Sequence, residues 1–551
     1  MMFNKEWRYK RDSILQKAAA GICTVLFVSV ILFFLAASLK SLTFAFEGTY
    51  LKERISINRK LFIKTVFFTL GQASFSTLLA LIFGLFGAYF VSHKTFPFRR
   101  VLISFSAIPL CVPAIVVALG YISTFGFAGI INRFLIRFFS LKEAPVRFLY
   151  SFLGLIICQG FYNFPLVMMT VSREWSRLDK RQADSARLLG AGERKVFFTI
   201  TLNQLLPAIF SSCIPVFIYS FFSFMIAGLF AGMDGTTMEV SLYQAAKSQL
   251  NYKLASLIAL TQTLIAFTVL FIYSLIEGRS RNQKETVLAG KDLKLKKLSE
   301  SSFKEKIYFG IFLLITFIFF ILPFICILIL SFTKNGRSSS VFTLTLWKNI
   351  FTKKSFLQSV KNTCISGVCT SALCTVCGFV FALFLRVKDP SAKNHFLKII
   401  PLLPMSVSSV MLGLGTSLLV KRGNFLLLIL AQTALSWPFA YRQIYASLVK
   451  IPDTILYSAR LLSRNRLDSV FKIILPYIKS SILNSLTLCF ALSAGDGAIP
   501  LTLSLKDFDT LALYTYRLAG SYRLNEACVC GLLLGLLCMI VFLSGNKGGR
   551  K

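Results

Sequence analysis

About twelve stretches of this chain run apolar for close to 20 residues or more, and that constraint precedes every other. They lie at roughly 17–39, 62–91, 101–124, 149–170, 208–231, 253–276, 307–332, 360–386, 397–420, 425–447, 482–505 and 527–544. A helix of about 20 apolar residues crosses a hydrocarbon core of about 30 Å. Inside lipid, only helices and closed barrels satisfy every backbone N–H and C=O. These runs are continuous rather than alternating, so they do not fit a β-barrel. The expected fold is all-α: a polytopic membrane protein of about 12 transmembrane helices. Only 15% of residues are charged, against about a quarter in soluble domains.

The formal net charge of +38 does not imply a nucleic-acid partner. The basic residues flank the spans, as the positive-inside rule places them, and no basic domain stands apart. The polar loop 171–207 carries Arg173, Arg177, Lys180, Arg181, Arg187, Arg194 and Lys195; the loop 448–481 carries Lys450, Arg460, Arg464, Arg466, Lys472 and Lys479. Both are expected in the cytoplasm, with both termini. The first outward loop departs from the rule with Lys52, Arg54, Arg59 and Lys60, opposed by Glu47 and Glu53. The N-terminal apolar run exceeds a signal-peptide core of about 7–15 residues and is read as an uncleaved first span.

The chain is also written twice. Ser185-Ala186-Arg187-Leu188-Leu189 returns as Ser458-Ala459-Arg460-Leu461-Leu462, and Ile200-x-Leu202 returns as Ile473-x-Leu475 at the same distance. Gly84-x3-Ala88 matches Gly378-x3-Ala382, and Pro109…Gly120 matches Pro404…Gly415. Small residues at such spacing let helices approach closely in lipid. The expected organisation is an N-terminal half, 1–276, with its polar loop at 174–207; a cytoplasmic linker, 277–306; and a C-terminal half, 307–551, with its loop at 448–481. Two halves of six spans with the same topology imply parallel repeats about an axis normal to the membrane.

No catalytic constellation is present. The sequence lacks the Gly-x4-Gly-Lys-Ser/Thr phosphate loop, His-Glu-x-x-His, a Cys/His zinc pattern and Gly-x-Ser-x-Gly. Its two histidines, His93 and His395, are read as solvated loop residues. Cys374-x-x-Cys377 has redox spacing, but it falls inside an apolar run without a second pair, which fits packing residues.

The repeated loops resemble the EAA loop of binding-protein-dependent ABC importer permeases, Glu-Ala-Ala-x3-Gly-x9-Ile-x-Leu-Pro. Copy one offers Asp184, Ser185, Ala186, Gly190, Ile200 and Leu202, with Asn203 in place of Pro. Copy two offers Ser458, Ala459, Ser463, Ile473, Leu475 and Pro476, with Tyr457 in place of the acid and Ser463 in place of Gly. The resemblance extends to the residues after the fifth span (Thr236 to Gln244) and before the last (Leu511 to Arg523), which look like the fused permeases of thiamine importers and, next, of ferric-iron importers. It implies the type I ABC importer permease fold and a transport subunit without its own ATPase site. It further implies docking of two copies of an ABC ATPase subunit on short coupling helices, a periplasmic or lipid-anchored substrate-binding protein, and surrounding membrane lipid. No cofactor would be bound by this chain, with ATP and Mg used by the partner subunits. The expected location is the bacterial inner membrane, and the expected solute is thiamine or a thiamine phosphate, with ferric iron as the alternative. Two alternatives to that resemblance are ordinary amphipathic interfacial helices in place of coupling helices, and an ion-coupled secondary transporter, which would call for intramembrane carboxylates.

Asp496 lies at the eleventh span. It is either a translocation-path or gate residue, or a cap on a broken helix near Pro500, or a group at the outer rim that water satisfies. Glu239 is read as an outward loop charge, solvated or touching a binding protein or cationic solute. The 56 phenylalanines fit lipid-facing packing and do not identify a solute.

Overall fold

The apolar runs become helices in the computed structural model, which describes residues 2–46, 59–105, 108–178, 180–230, 235–283, 296–335, 340–388, 397, 399–420, 423–463, 466–505 and 508–547. Among the described residues, nine helices are long and apolar enough to cross a membrane, or ten when the pair Leu467–Tyr477 and Lys479–Gly495, bent by 73°, is taken as one span. The three expected runs not among the nine are 397–420, 425–447 and 482–505, whereas the divided first-half runs still supply the candidate spans Ala114–Phe139 and Glu193–Phe221. The run 101–124 is divided into Arg99–Ser104, Ile108–Cys111 and Ala114–Phe125, with Pro113 in extended conformation before the last piece. Its counterpart 397–420 yields Leu402–Met405 and Ser409–Leu419, where the Ser408 hydroxyl caps the second piece. The fifth run of each half is broken too: Leu202–Phe221 then Met225–Phe230, and Lys479–Gly495 then Ala498–Leu503. Phe425–Leu448 has the length of a span, but Gln432, Ser436, Arg442 and Gln443 dilute its hydropathy.

The compact units do not follow the two sequence halves. One unit comprises Met1–Gly48, Lys353–Tyr514 and Leu534–Lys551; the other comprises Thr49–Thr352 and Thr515–Leu533. The first helix of each half is thus built into the unit whose bulk comes from the other half. In the first unit, Met2–Phe46 lies along Ser409–Leu419. Phe27 meets Trp437 edge-on at 5.3 Å, and Gly415 leaves room for the Ala37 carbonyl, which a Cβ would strike. In the second unit, Leu322–Ser331 lies along Ala114–Phe125. The Tyr121 hydroxyl donates to the Phe319 carbonyl at 2.6 Å, and a Cβ at Gly120 would come within 3.0 Å of Pro323.

Within each unit the same second-to-fourth span packing recurs. Arg59–His93 packs along Phe152–Trp175, and Lys354–Lys388 along Phe425–Leu448. Lipid tails offer no hydrophobic drive for this association, so close packing must supply it. At Gly84 a Cβ would sit 2.6 Å from the Val167 Cβ; at Gly378 it would sit 2.6 Å from the Tyr441 backbone nitrogen.

The described residues of the linker lie at its two ends. The last span of the first half continues to Gln283, Lys296–Lys297 pairs in parallel with Lys94–Thr95, and the next helix starts at Phe303. Lys94 bridges to Glu305 at 2.8 Å. His93 is not a solvated loop residue: it ends a helix, stacked on Tyr89 and edge-on to Trp175. His395 lies outside the described residues. Cys374 and Cys377 are fully buried within Lys354–Lys388, and the Cys374 thiol faces the Thr433 carbonyl.

Candidate functional site: the paired polar loops

The first loop begins with a short helix, Lys180–Leu188. It ends in a left-handed turn at Gly190, φ 85°. The Ala191 N–H reaches the Ala186 carbonyl at 3.0 Å, and the Gly190 N–H reaches the Arg187 carbonyl at 2.9 Å. Those two bonds are a Schellman stop, which a residue without a Cβ makes at least strain. Arg187 then ties the helix to the chain beyond the turn. Its guanidinium donates to Asp184 at 2.7 Å and grips Glu193 with two bonds of 2.8 and 3.1 Å. The Glu193 bond raises the Arg187 pKa against the opposing effect of desolvation. Asp184, the departure from the family's Glu, is therefore part of an internal brace.

The second loop has a different stop. Its helix, Asp453–Leu462, ends at Ser463 in extended conformation, φ −87° and ψ 140°, with one N–H bond back to Ala459. The absence of Gly matches the absence of a left-handed turn. Ala459 is buried, whereas Ala186 is half-buried; Ser185 and Ser458 are exposed.

Both loops present the same tip. Leu188 and Leu189 are each 89% exposed, and Leu461 and Leu462 each 86%. Exposed leucine pairs at matched positions of a repeat are not explained by this chain's own packing.

The Ile-x-Leu motifs do something else. Ile200, Leu202, Ile473 and Leu475 are half-buried, and Leu202 packs against the cluster holding Trp175 and Leu205. In both copies a π-turn spans this motif, Phe197–Thr201 and Val470–Ile474, at the same 273-residue offset as Ser185 and Ser458. The motif anchors the loop to the bundle. Beyond it the copies diverge. Asn203 donates its side chain to the Thr199 carbonyl at 2.7 Å, and the helix runs on to Phe221. Pro476 has no N–H to continue the ladder; its helix stops at Tyr477, and the chain bends before Lys479.

The repeat is legible at the level of single hydrogen bonds. The Thr69 hydroxyl accepts the Met238 N–H at 2.9 Å; the Thr363 hydroxyl accepts the Leu511 N–H at 2.7 Å. The Ser76 hydroxyl donates to the Gln159 side-chain carbonyl at 3.5 Å in one unit, and the Thr370 hydroxyl to that of Gln432 at 3.2 Å in the other. Sequence reading missed these pairs, although polar residues recurring at the repeat's offsets within apolar runs were the available signal.

Of the two carboxylates singled out in the sequence, Asp496 takes one of its expected readings and Glu239 does not. Asp496 receives the Ala498 N–H at 2.9 Å and the more distant Ile499 N–H at 3.5 Å; it caps the second piece of a broken helix. Glu239 is no loop charge. It lies in the helix Met238–Tyr243, has no exposed surface, and accepts a 2.7 Å bond from Gln262.

Residues 76–282, which include the first loop, match the family described as binding-protein-dependent transport system inner membrane component. The chain is similar to the thiamine transport system permease protein ThiP of Haemophilus influenzae, 23% identical over 533 residues that cover 94% of each chain. It is also similar to the putative 2-aminoethylphosphonate transport system permease protein PhnU of Salmonella typhi, 27% identical over 41% of this chain and 78% of that one. With the molybdenum transport system permease protein ModB of Escherichia coli it shares 31% identity over 28% of this chain and 65% of the other. Residues 76–282 of this chain thus carry the pattern of a binding-protein-dependent transport system inner membrane component, and nearly the whole chain is similar to one such permease.

Proposed function

We propose that this chain carries both permease halves of an ATP-driven importer of thiamine or a thiamine phosphate. The observation that carries the reading is the pair of exposed Leu-Leu tips on matched, differently braced loops. An ABC ATPase subunit docks on each: one at Leu188–Leu189 with Asp184, Ser185 and Ala186 beside it, the other at Leu461–Leu462 with Ser458. Gly190 and Ser463 stop the two helices, while Ile200, Leu202, Ile473, Leu475 and Pro476 hold the loops to the bundle. Both loops and both termini face the cytoplasm. The partner subunits use ATP and Mg, and a substrate-binding protein delivers the solute from the other side. The thiamine reading is favoured by similarity to ThiP along 94% of each chain, where the PhnU and ModB similarities cover shorter segments.

The test has two parts. Purification from detergent should retain an ATPase subunit, and replacing both leucine pairs with serine should release it. Retention by the substituted protein would overturn the docking reading. The solute carried by the cognate binding protein should be a thiamine compound; ferric iron there would replace the substrate assignment, and uptake driven by an ion gradient without ATP would replace the class.

A further inference from the structure

The internal repeat places two tyrosines together. Tyr243 and Tyr516 are 273 residues apart, the offset of the two loops. Each sits in the short helix whose first N–H is accepted by a matched threonine, Thr69 or Thr363. They are therefore equivalent positions of the repeat. Both contact one ring: Phe224 lies 5.4 Å from Tyr243 and 6.1 Å from Tyr516, centroid to centroid. Equivalent positions of a two-fold repeat that converge on one side chain lie at the repeat's axis.

A side chain on such an axis can be supplied by only one half. The counterpart of Phe224 is Gly497, so the second half leaves the space that the first half fills. Gly228 makes a similar concession: a Cβ there would stand 3.1 Å from the Tyr516 hydroxyl. Phe224 is buried, and both tyrosines are half-buried. Phe224 also occupies the break between Leu202–Phe221 and Met225–Phe230. The first of these helices starts just after the polar loop and has 20 residues, about 30 Å at 1.5 Å per residue. It is a rod with the loop at one end and Phe224 at the other.

We propose that Phe224, Tyr243 and Tyr516 form an aromatic constriction on the solute path, which opens when the rod swings Phe224 from between the tyrosines. This rests on the transport reading above. The test places p-acetylphenylalanine spin labels at positions 243 and 516, which avoids the thirteen native cysteines. A second labelled pair at 188 and 461 reports on the loops. In the reconstituted complex with its ATPase, vanadate trapping should lengthen the 243–516 distance by about one helical turn, ~5 Å. An unchanged 243–516 distance while the 188–461 pair moves overturns the constriction and leaves the transport reading standing. If no ATPase co-purifies, that reading fails, and the constriction is judged by leak alone. Proteoliposomes bearing Phe224→Ala with Tyr243→Ala should then lose trapped thiamine several-fold faster than the native chain, and equal rates overturn it.

Discussion

The exposed leucine pairs give the docking argument a number. Leu188 and Leu189 are 89% exposed, and Leu461 and Leu462 86%, so nearly all of each side chain is available to a partner. Truncating leucine to alanine removes three carbons, at about 0.8 kcal/mol each, or about 2.4 kcal/mol per residue. A pair then contributes about 5 kcal/mol, which is about 10³-fold in affinity at 1.4 kcal/mol per decade. That is a ceiling, since imperfect packing and ordering reduce the yield of buried area. Because the exposures are nearly equal, Leu188→Ala/Leu189→Ala and Leu461→Ala/Leu462→Ala should weaken ATPase binding to a similar degree. Titration of the ATPase subunit onto the permease in nanodiscs measures this. If the four-leucine variant binds within two-fold of the native chain, the leucines are not docking residues. Loss from one pair alone would show that the other loop does not dock.

Substitutions at four further positions follow from the packing. Gly378→Val would drive a branched side chain into the Tyr441 backbone 2.6 Å from the Cβ position, and should lower stability by about 1–3 kcal/mol, read as a reduced melting temperature in detergent. Glu239→Ala leaves the buried Gln262 amide without its acceptor and should cost about 1–3 kcal/mol; Glu239→Gln, which keeps an acceptor, should restore most of it in the same assay. Gly190→Ala forces a Cβ into a left-handed turn at φ 85° and should cost about 1–2 kcal/mol locally, seen as faster proteolysis of the first loop. Ser463→Ala, at φ −87°, should leave the second loop's proteolysis unchanged.

The polar loops were legible because their signal is local. The Ser-Ala-Arg-Leu-Leu pair, the Gly190 stop and the basic flanks require only neighbouring residues to be understood. The broken spans were less legible. Hydropathy over 101–124 or 482–505 is that of a span, and Pro109, Pro113 and Pro500 announce a possible break without saying whether neighbours will re-satisfy the backbone. Asp496 was weighed as a path residue or a cap, and the bond to Ala498 N–H gives it the capping geometry. Glu239 was misplaced because a single acidic residue beside threonines reads as a loop; only Gln262, 23 positions away, makes it an interior group.

The sequence by itself determined the helical membrane class, the duplication and the two matched polar loops, because burial in lipid and short-range turns are set by composition and spacing. Tertiary structure decided which unit holds which first helix, that Leu202 packs against the cluster holding Trp175, and that Tyr243 and Tyr516 share Phe224. Each depends on contacts between residues far apart in the chain. No hydropathy run encodes whether Gly415 will receive the Ala37 carbonyl; that follows only when two helix surfaces fit.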